Sequence, residues 1–259
     1  MIRTDSEHIT KEILSPGRRD YIFCVIIIFL ILISYLPLFT VSYDRIELLT
    51  AEDHFYENLQ AVLLLLSSGI MLYLFFRSKS QEKAYFLKAE RNYFYLLLFL
   101  FFFFCFGDEI SWGQRIFTLK TPEYLQQSNS QDEISIHNLW LFEGYDQNNT
   151  PKTGIMRWVT AARIFALFWL VYCVIIPVLN YLSSGVRRII SKISLPVVPL
   201  WLGFLFVLSY IISKTVEKLY LISDRQPVDE IKETSFYFLF FAVCISFFVA
   251  YRKEASVKG

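Results

Sequence analysis

Six apolar runs punctuate the chain, and polar segments of unequal length separate them. Tyr21 to Ser42 contains no charged residue; after it come Leu59 to Phe76, Tyr93 to Phe106, Trp158 to Tyr181, Val197 to Ser213 and Phe236 to Tyr251. None alternates apolar and polar residues as a half-buried strand would, and most approach the ~20 residues that cross a ~30 Å hydrocarbon core as a helix. The pattern predicts an all-α polytopic membrane protein. It is a single transmembrane domain over residues 1–259, with six transmembrane helices at about 21–42, 59–76, 93–112, 158–181, 197–213 and 236–251. Pro37 is expected to kink or end the first of them. The first run is longer than the core of a cleavable signal peptide and lacks a small-residue exit, so it reads as an uncleaved span.

The third run is the odd one. Tyr93 to Phe106 is fourteen residues of Phe, Leu and Tyr with one Cys, which makes about 21 Å of helix against a core of ~30 Å. If the helix runs on to make up the difference, it carries Asp108, Glu109 and Trp112 into the edge of the bilayer. Ionisable groups are costly there and mark functional sites by default. The second and sixth runs are also short, and acids precede both: Asp53 and Glu57 in one case, Asp229, Glu230 and Glu233 in the other. Extending each helix outward by a turn or two sets acids from three helices at one depth. Asp53, Glu57 and Gln60 then share a helical face, as do Glu109, Trp112 and Gly113.

The connections differ in length and charge. Residues 43–58 are polar and acidic, 77–92 and 183–195 are short basic loops, and 214–235 is a loop of mixed charge. The longest connection, Gly107 to Arg157, is read as an outer loop with short helices over 117–157. Thr121-Pro122-Glu123 signals one helix start with Pro at the first helical position, and Ser130 to Glu133 reads as a capping box for a helix through Phe142. Asp146 to Thr153 reads as plain loop. With the amino terminus in the cytoplasm, 15 Lys/Arg lie inside and 9 outside, with Arg163 within the membrane. That asymmetry predicts that both termini are cytoplasmic. The acids divide the other way, 17 outside and 7 inside, which locates the candidate chemistry on the outer face.

Composition agrees with a membrane protein: 55% of residues are hydrophobic and 26 are Phe. The formal charge of +1 conceals the segregation just described. The cysteines, Cys24, Cys105, Cys173 and Cys244, all lie in apolar runs with no metal-type spacing, and read as small hydrophobes. The basic residues are spread over loop ends rather than gathered into a patch, so nucleic acid is not an expected partner; membrane lipids are.

Candidate chemistry centres on Asp108 and Glu109. Acids at the start of a span are natural partners of a helix dipole, which is the simple account of Asp53, Glu57 and Glu233. Asp108 and Glu109 instead sit towards a carboxyl end, where negative charge is unfavourable, and so point to function. Glu57, Asp108, Glu109 and His137 are the candidate catalytic residues. Arg115, Arg163 and Trp112 are candidate substrate contacts: the arginines suit a phosphate or carboxylate, or Arg163 an ion pair with Asp108 or Glu109. Trp112, Trp140 and Trp158 equally fit an interfacial belt. Glu133 and His137, four residues apart, could ligate a divalent metal ion on a helix, the one cofactor the pattern suggests; a capping Glu133 and a hydrogen-bonded His137 is the alternative. His54, beside Asp53, is a further possible proton carrier.

The run GDEISWGQRIF at 107–117, followed by Gln131-x-Glu133-x-x-x-His137-Asn138, resembles a group of uncharacterised bacterial multi-pass membrane proteins. Their pattern is Glu-Glu-x-Ser-Trp-Gly-Gln-Arg followed by Gln-x-Glu-x-x-x-His-Asn. The likeness covers residues 107 to 138 and, loosely, Glu52 to Glu57. Asp108 stands where the usual first residue is Glu, keeping the charge and shortening the reach. The resemblance implies a bacterial inner-membrane location and a shared polar site, to which it adds Gln114 and Asn138 as candidate substrate contacts; it implies no activity. The expected function is an outward-facing polar site that acts, as a hydrolase or transferase, on a lipid or lipid-linked substrate. The alternatives are a cation or proton transporter or sensor, and a membrane scaffold.

Overall fold

A computed structural model describes residues 18–51, 54–80, 85–114, 116–131, 133–220 and 226–258. Of the residues singled out above, Asp53 and Arg115 lie outside the described residues. Among those described the fold is all-α, with two isolated bridges, Asn129 to Leu139 and Tyr145 to Pro151, and no strand. The principal helices are α1 Arg18–Tyr35, α2 Tyr43–Thr50, α3 Phe55–Arg77, α4 Tyr93–Glu109, α5 Glu123–Ser128, α6 Ala161–Leu182, α7 Ser184–Ile193, α8 Leu200–Leu219 and α9 Gln226–Lys258. Among the described residues five helical segments are long and apolar enough to cross a membrane, at Asp20–Thr40, Tyr43–Arg77, Ala161–Leu182, Leu200–Leu219 and Gln226–Ser256, which makes this a multi-pass membrane protein.

α4 is the apolar run of Phe and Leu, and its 17 residues span about 25 Å at 1.5 Å each. It stops at Glu109. The expectation of a helix continuing to Trp112 is therefore corrected: Ser111, Trp112 and Gly113 are all left-handed, with φ of 46°, 51° and 77°, and a right-handed helix cannot pass through them. α3 and α9 do extend towards their amino termini beyond their apolar runs and carry Glu57, Glu230 and Glu233 with them.

Other boundaries shift for local reasons. Pro37 follows the end of α1 and opens a single helical turn, Pro37–Thr40. Residues 183–195 are not a loop: Ser183 accepts from the Val186 N–H and caps α7, which sets Val186, Ile189, Ile190 and Ile193 on one side. Arg187 of α7 donates to the Asn180 and Tyr181 carbonyls that end α6. Pro122 is the N-cap of α5 rather than its first residue. The helix expected over 130–142 does not form; that segment bends back so that Ser130 N–H donates to the Asn138 carbonyl. Asp146 to Thr153 is loop, closed by Asp146 Oδ1 accepting from the Asn148 and Thr150 N–H groups. α6 starts at Ala161, so Arg163 lies in its first turn and not deeper.

α9 is the central helix, packing against α1, α2, α3 and α8, while α3 also pairs along α4. In lipid there is little hydrophobic gain from bringing helices together, so close packing and aromatic edge contacts hold them. Phe240 of α9 is the hub: Phe102, Phe165, Phe168 and Phe206 surround it at centroid distances of 5.1 to 5.8 Å. α6 meets α8 through a backbone irregularity. Pro177 has no N–H for the Cys173 carbonyl, and residues Leu170–Ile175 widen to a π turn. Gly203 of α8 packs onto that carbonyl so closely that a Cβ there would lie 2.5 Å from the Cys173 oxygen.

Gly203→Ala forces backbone apart from backbone and is expected to destabilise the protein by about 1–3 kcal/mol. Gly69→Ala on α3, where an added Cβ meets nothing within 4 Å, should be neutral or stabilising by up to ~1 kcal/mol. Thermal melts of both variants in the same detergent check the contrast.

Candidate functional site

The end of α4 and the outer loop are stapled together by three side chains of the 107–114 run. Asp108 Oδ1 accepts from the Ile136 N–H at 2.6 Å, and Oδ2 accepts from the His137 N–H at 3.0 Å and lies 2.6 Å from His137 Nδ1. Ser111 donates to Glu133 Oε2 at 2.8 Å. Gln114 Oε1 accepts from the Ile134 N–H at 2.6 Å, and its amide nitrogen donates to Thr121 at 2.7 Å. The loop segment is braced from within: Asn129 donates to the Glu133 and Ser135 carbonyls, and Asn138 donates to the Gln131 side chain. Gln114, Asn138 and Glu133 thus serve as internal fastenings.

The left-handed turn at 111–113 reverses the chain so that Trp112 folds back onto α4. Its indole lies edge-on to Phe104 at 5.6 Å and covers Gly107, where a Cβ would fall 2.9 Å from the ring. Gly107 is needed for that closure, and Gly113 for the left-handed backbone. Trp112 is thereby committed to packing on its own helix.

Beyond this staple lies a cluster of acids from three helices. Glu109 accepts from the Tyr237 hydroxyl at 2.8 Å and feels the charges of Glu233, His137 and Glu57. Glu230 lies within electrostatic reach of Glu233, Glu109 and Glu57. Gln60 joins α3 to α9: its amide nitrogen donates to Glu230 Oε2 at 3.2 Å, to the Glu230 carbonyl at 3.1 Å and to Thr234 at 2.9 Å. Glu57, Asp108, Glu109 and His137 are therefore brought together.

Arg163, Arg115 and the metal pair fare differently. Arg163 makes no ion pair with Asp108 or Glu109; its guanidinium lies over the Trp158 ring at 5.0 Å, and its Nη1 is buried without a hydrogen-bond partner. Arg115 lies outside the described residues. Glu133 and His137 do not form a helical i, i+4 ligand pair, because the segment is not helical, His137 Nδ1 faces Asp108 and Glu133 faces Ser111. Among the described residues, no group of three or more His, Cys, Asp or Glu is arranged to hold a metal ion. His54 is the exposed N-cap of α3, its carbonyl accepting from Asn58.

Tyr237 and Thr234 were not singled out by the sequence. The signal was present: Glu230, Glu233, Thr234 and Tyr237 fall at helical spacing on one face, once the sixth helix is started at Gln226 rather than at Phe236.

Chemically, the best-defined group is the His137 and Asp108 pair. Burial pulls the imidazole pKa down, but the Asp108 hydrogen bond and charge, with Glu109 and Glu233 beyond, outweigh it and push the value up to about 9 from an ordinary 6.5. Asp108 fixes Nδ1, and with 47% of the side chain accessible, Nε2 is left for proton exchange. No family model, curated protein or solved structure matches this chain.

Three outcomes follow. NMR of imidazole-labelled protein should titrate His137 near pH 9, and Asp108→Asn should bring it to 6.5 or below, since burial then dominates. Because the folded value is raised, the stability that protonated His137 contributes is whole below about pH 6.5 and is lost as pH rises through about 9. The melting temperature should fall over that window in wild type and not in Asp108→Asn. Gly107→Ala should expel the indole of Trp112, seen as a changed tryptophan emission against a Trp112→Phe control.

Proposed function

We propose that this chain is a bacterial inner-membrane protein of six spans with both termini in the cytoplasm, α4, third in chain order, joining the five longer helices. Its outward-facing site acts on a lipid or lipid-linked substrate as a hydrolase or transferase. The positive-inside count and the resemblance of residues 107–138 support the location, and α4, at about 25 Å, reaches nearly across the core if its terminal acids lie at the interface.

The observation that carries the reading is the 2.6 Å contact between His137 Nδ1 and Asp108 Oδ2, beside Glu109. A histidine oriented by a carboxylate presents its other nitrogen for proton transfer. With its pKa at about 9, His137 is protonated at neutral pH and begins a cycle as an acid, donating to a leaving group. Glu109, held by Tyr237, is the neighbouring carboxylate that accepts the proton of an attacking hydroxyl. Asp108 acts through His137, as a positioning residue.

A second reading, proton or cation transfer, draws on the buried hydroxyls behind the acids, where Ser34 and Ser235 approach to 3.4 Å. It is the weaker reading, because these hydroxyls are turned to their own helices: Ser34 donates to Ile31, Ser67 to Leu63, Ser68 to Leu65, Ser213 to Tyr210 and Ser235 to Ile231 carbonyls. They form no continuous relay.

The test uses purified protein in bilayer nanodiscs carrying a bacterial lipid extract, with head-group products followed by mass spectrometry. Wild type should convert a lipid, and Glu109→Gln and His137→Gln should each lower turnover by about 10²–10⁴-fold while inserting normally. Undiminished turnover in Glu109→Gln would remove the assignment.

A further inference from the structure

A different pattern of apolar and charged residues lies at the far end of α6 from Arg163. α7 has 10 residues, about 15 Å of helix, or half of what crosses a ~30 Å core. It joins two helices that are each long and apolar enough to cross, so it stays at one membrane surface. The two flanks of its apolar arc have different fates. Ile190 is buried against the protein at 8% exposure, whereas Ile189, the next residue round the helix, is 62% exposed. The basic residues divide in the same way. Arg187 is spent within the fold, on the carbonyls that end α6, while Arg188 and Lys192 are exposed one turn apart, with Lys192 also one turn from Ile189. No Asp or Glu occurs anywhere from Gln147 to Val216, so α6, α7 and the first four turns of α8 offer these cations no counter-charge. The short turn Phe86–Lys88 packs against α7 and repeats the pairing with an exposed Phe86 and an exposed Lys88; the acid of that segment, Glu90, lies 3.5 Å from Lys79.

We propose that α7 lies in the plane of the membrane surface and binds an anionic phospholipid, with Arg188 and Lys192 on its phosphodiester head group and Ile189 among its acyl chains. A short helix with an apolar side, a basic side and no acid is the form that settles at the boundary of head groups and hydrocarbon and prefers an anionic leaflet. A guanidinium meets phosphate oxygens with two parallel donors, and the ammonium of Lys192 adds a point charge beside it. The tails have a seat as well. Between the two helices that α7 joins, a cavity of about 210 Å³ is lined by Val174, Pro177, Leu200, Gly203, Phe204 and Val207. The π turn and Pro177 shape its α6 wall, and Gly203, which has no side chain, shapes the other. These residues lie in the second half of α6 and the first two turns of α8, within about 12 Å of α7 along the helix axes, the depth at which a tail hangs below its head group. The proposal does not depend on the reaction assigned to the acid cluster.

The experiment counts bound lipid. Full-length protein is placed in nanodiscs of phosphatidylcholine with a minor fraction of phosphatidylglycerol, and the lipid it retains is counted by native mass spectrometry. Each Lys or Arg near an anionic lipid is worth about fivefold in binding, so phosphatidylglycerol should be enriched about 25-fold over its share. Arg188→Gln and Lys192→Gln should each cut the enrichment about fivefold, and the double variant should bring retention down to the supplied ratio. Thermal melts of these variants in pure phosphatidylcholine should match wild type, because both side chains are exposed. Arg252→Gln with Lys253→Gln removes the same charge from the exposed end of α9 and should leave the enrichment in place; an equal loss there would reduce the effect to net charge and overturn the site. Val207→Phe, which fills the cavity, should lower retention with an unchanged melt, and full retention would overturn the seating of the tail. Millimolar glycerol 1-phosphate should not displace the lipid; displacement would show that a soluble phosphate suffices and would overturn the lipid assignment. Retention in proportion to supply, or enrichment indifferent to the double variant, overturns the proposal.

Discussion

One carboxylate organises the segment that follows α4. Asp108 stands at the carboxyl end of α4, where the helix dipole disfavours negative charge. It is compensated by three donors from a single short segment, the N–H groups of Ile136 and His137 and the ring of His137. Hydrogen bonds to an ionised acceptor are stronger than neutral ones, so the cheapest way to place that charge is to fold the loop over it. The same contacts set the direction of the imidazole. The constraint that settles the loop therefore also orients the His137 ring.

The fastening needs an abrupt change of chain direction, and the backbone shows its cost. Two non-glycine residues in succession, Ser111 and Trp112, adopt left-handed conformations, at ~1–2 kcal/mol each. What offsets this is local: the Ser111 bond to Glu133, the Gln114 bond to Ile134 and the indole lying over Gly107. Strain kept in this way at the rim of a polar cluster is the pattern found at working sites rather than at ordinary loop ends.

Much of this was readable from residue order. Five of the six apolar runs lie in helices long and apolar enough to cross a membrane, and the shortness of the second and sixth runs foretold that α3 and α9 would extend beyond them to carry Glu57, Glu230 and Glu233. The brevity of the third run also foretold polar residues at its end, though not the turn that follows. What could not be read was decided by contacts distant in sequence. Ser130 to Glu133 has the form of a capping box, yet Glu133 is taken by Ser111 and Ser130 by the Asn138 carbonyl and Glu143. His137 sits four residues after Glu133 and binds Asp108 instead. Arg163, in the first turn of α6, lies over Trp158 just before that helix. α7 was missed despite a local signal, the helical spacing of Val186, Ile189, Ile190 and Ile193, as was the early start of α9 at Gln226.

The two halves of the polar region argue against a purely structural role for the whole. Around Asp108 every oxygen is engaged, as a scaffold would require. Around Gln60 the opposite holds: an enclosed amide oxygen lacks a donor, beside glutamates from three helices that lie within electrostatic reach of one another. Apolar side chains of similar volume would commonly stabilise such a place as well or better. If helix association were the only task, α3 and α9 would meet more favourably through packing alone, as Phe240 does with its neighbours. Asp108 therefore holds the architecture, and Gln60, whose amide oxygen is enclosed without a donor, is the group that this packing leaves unsatisfied.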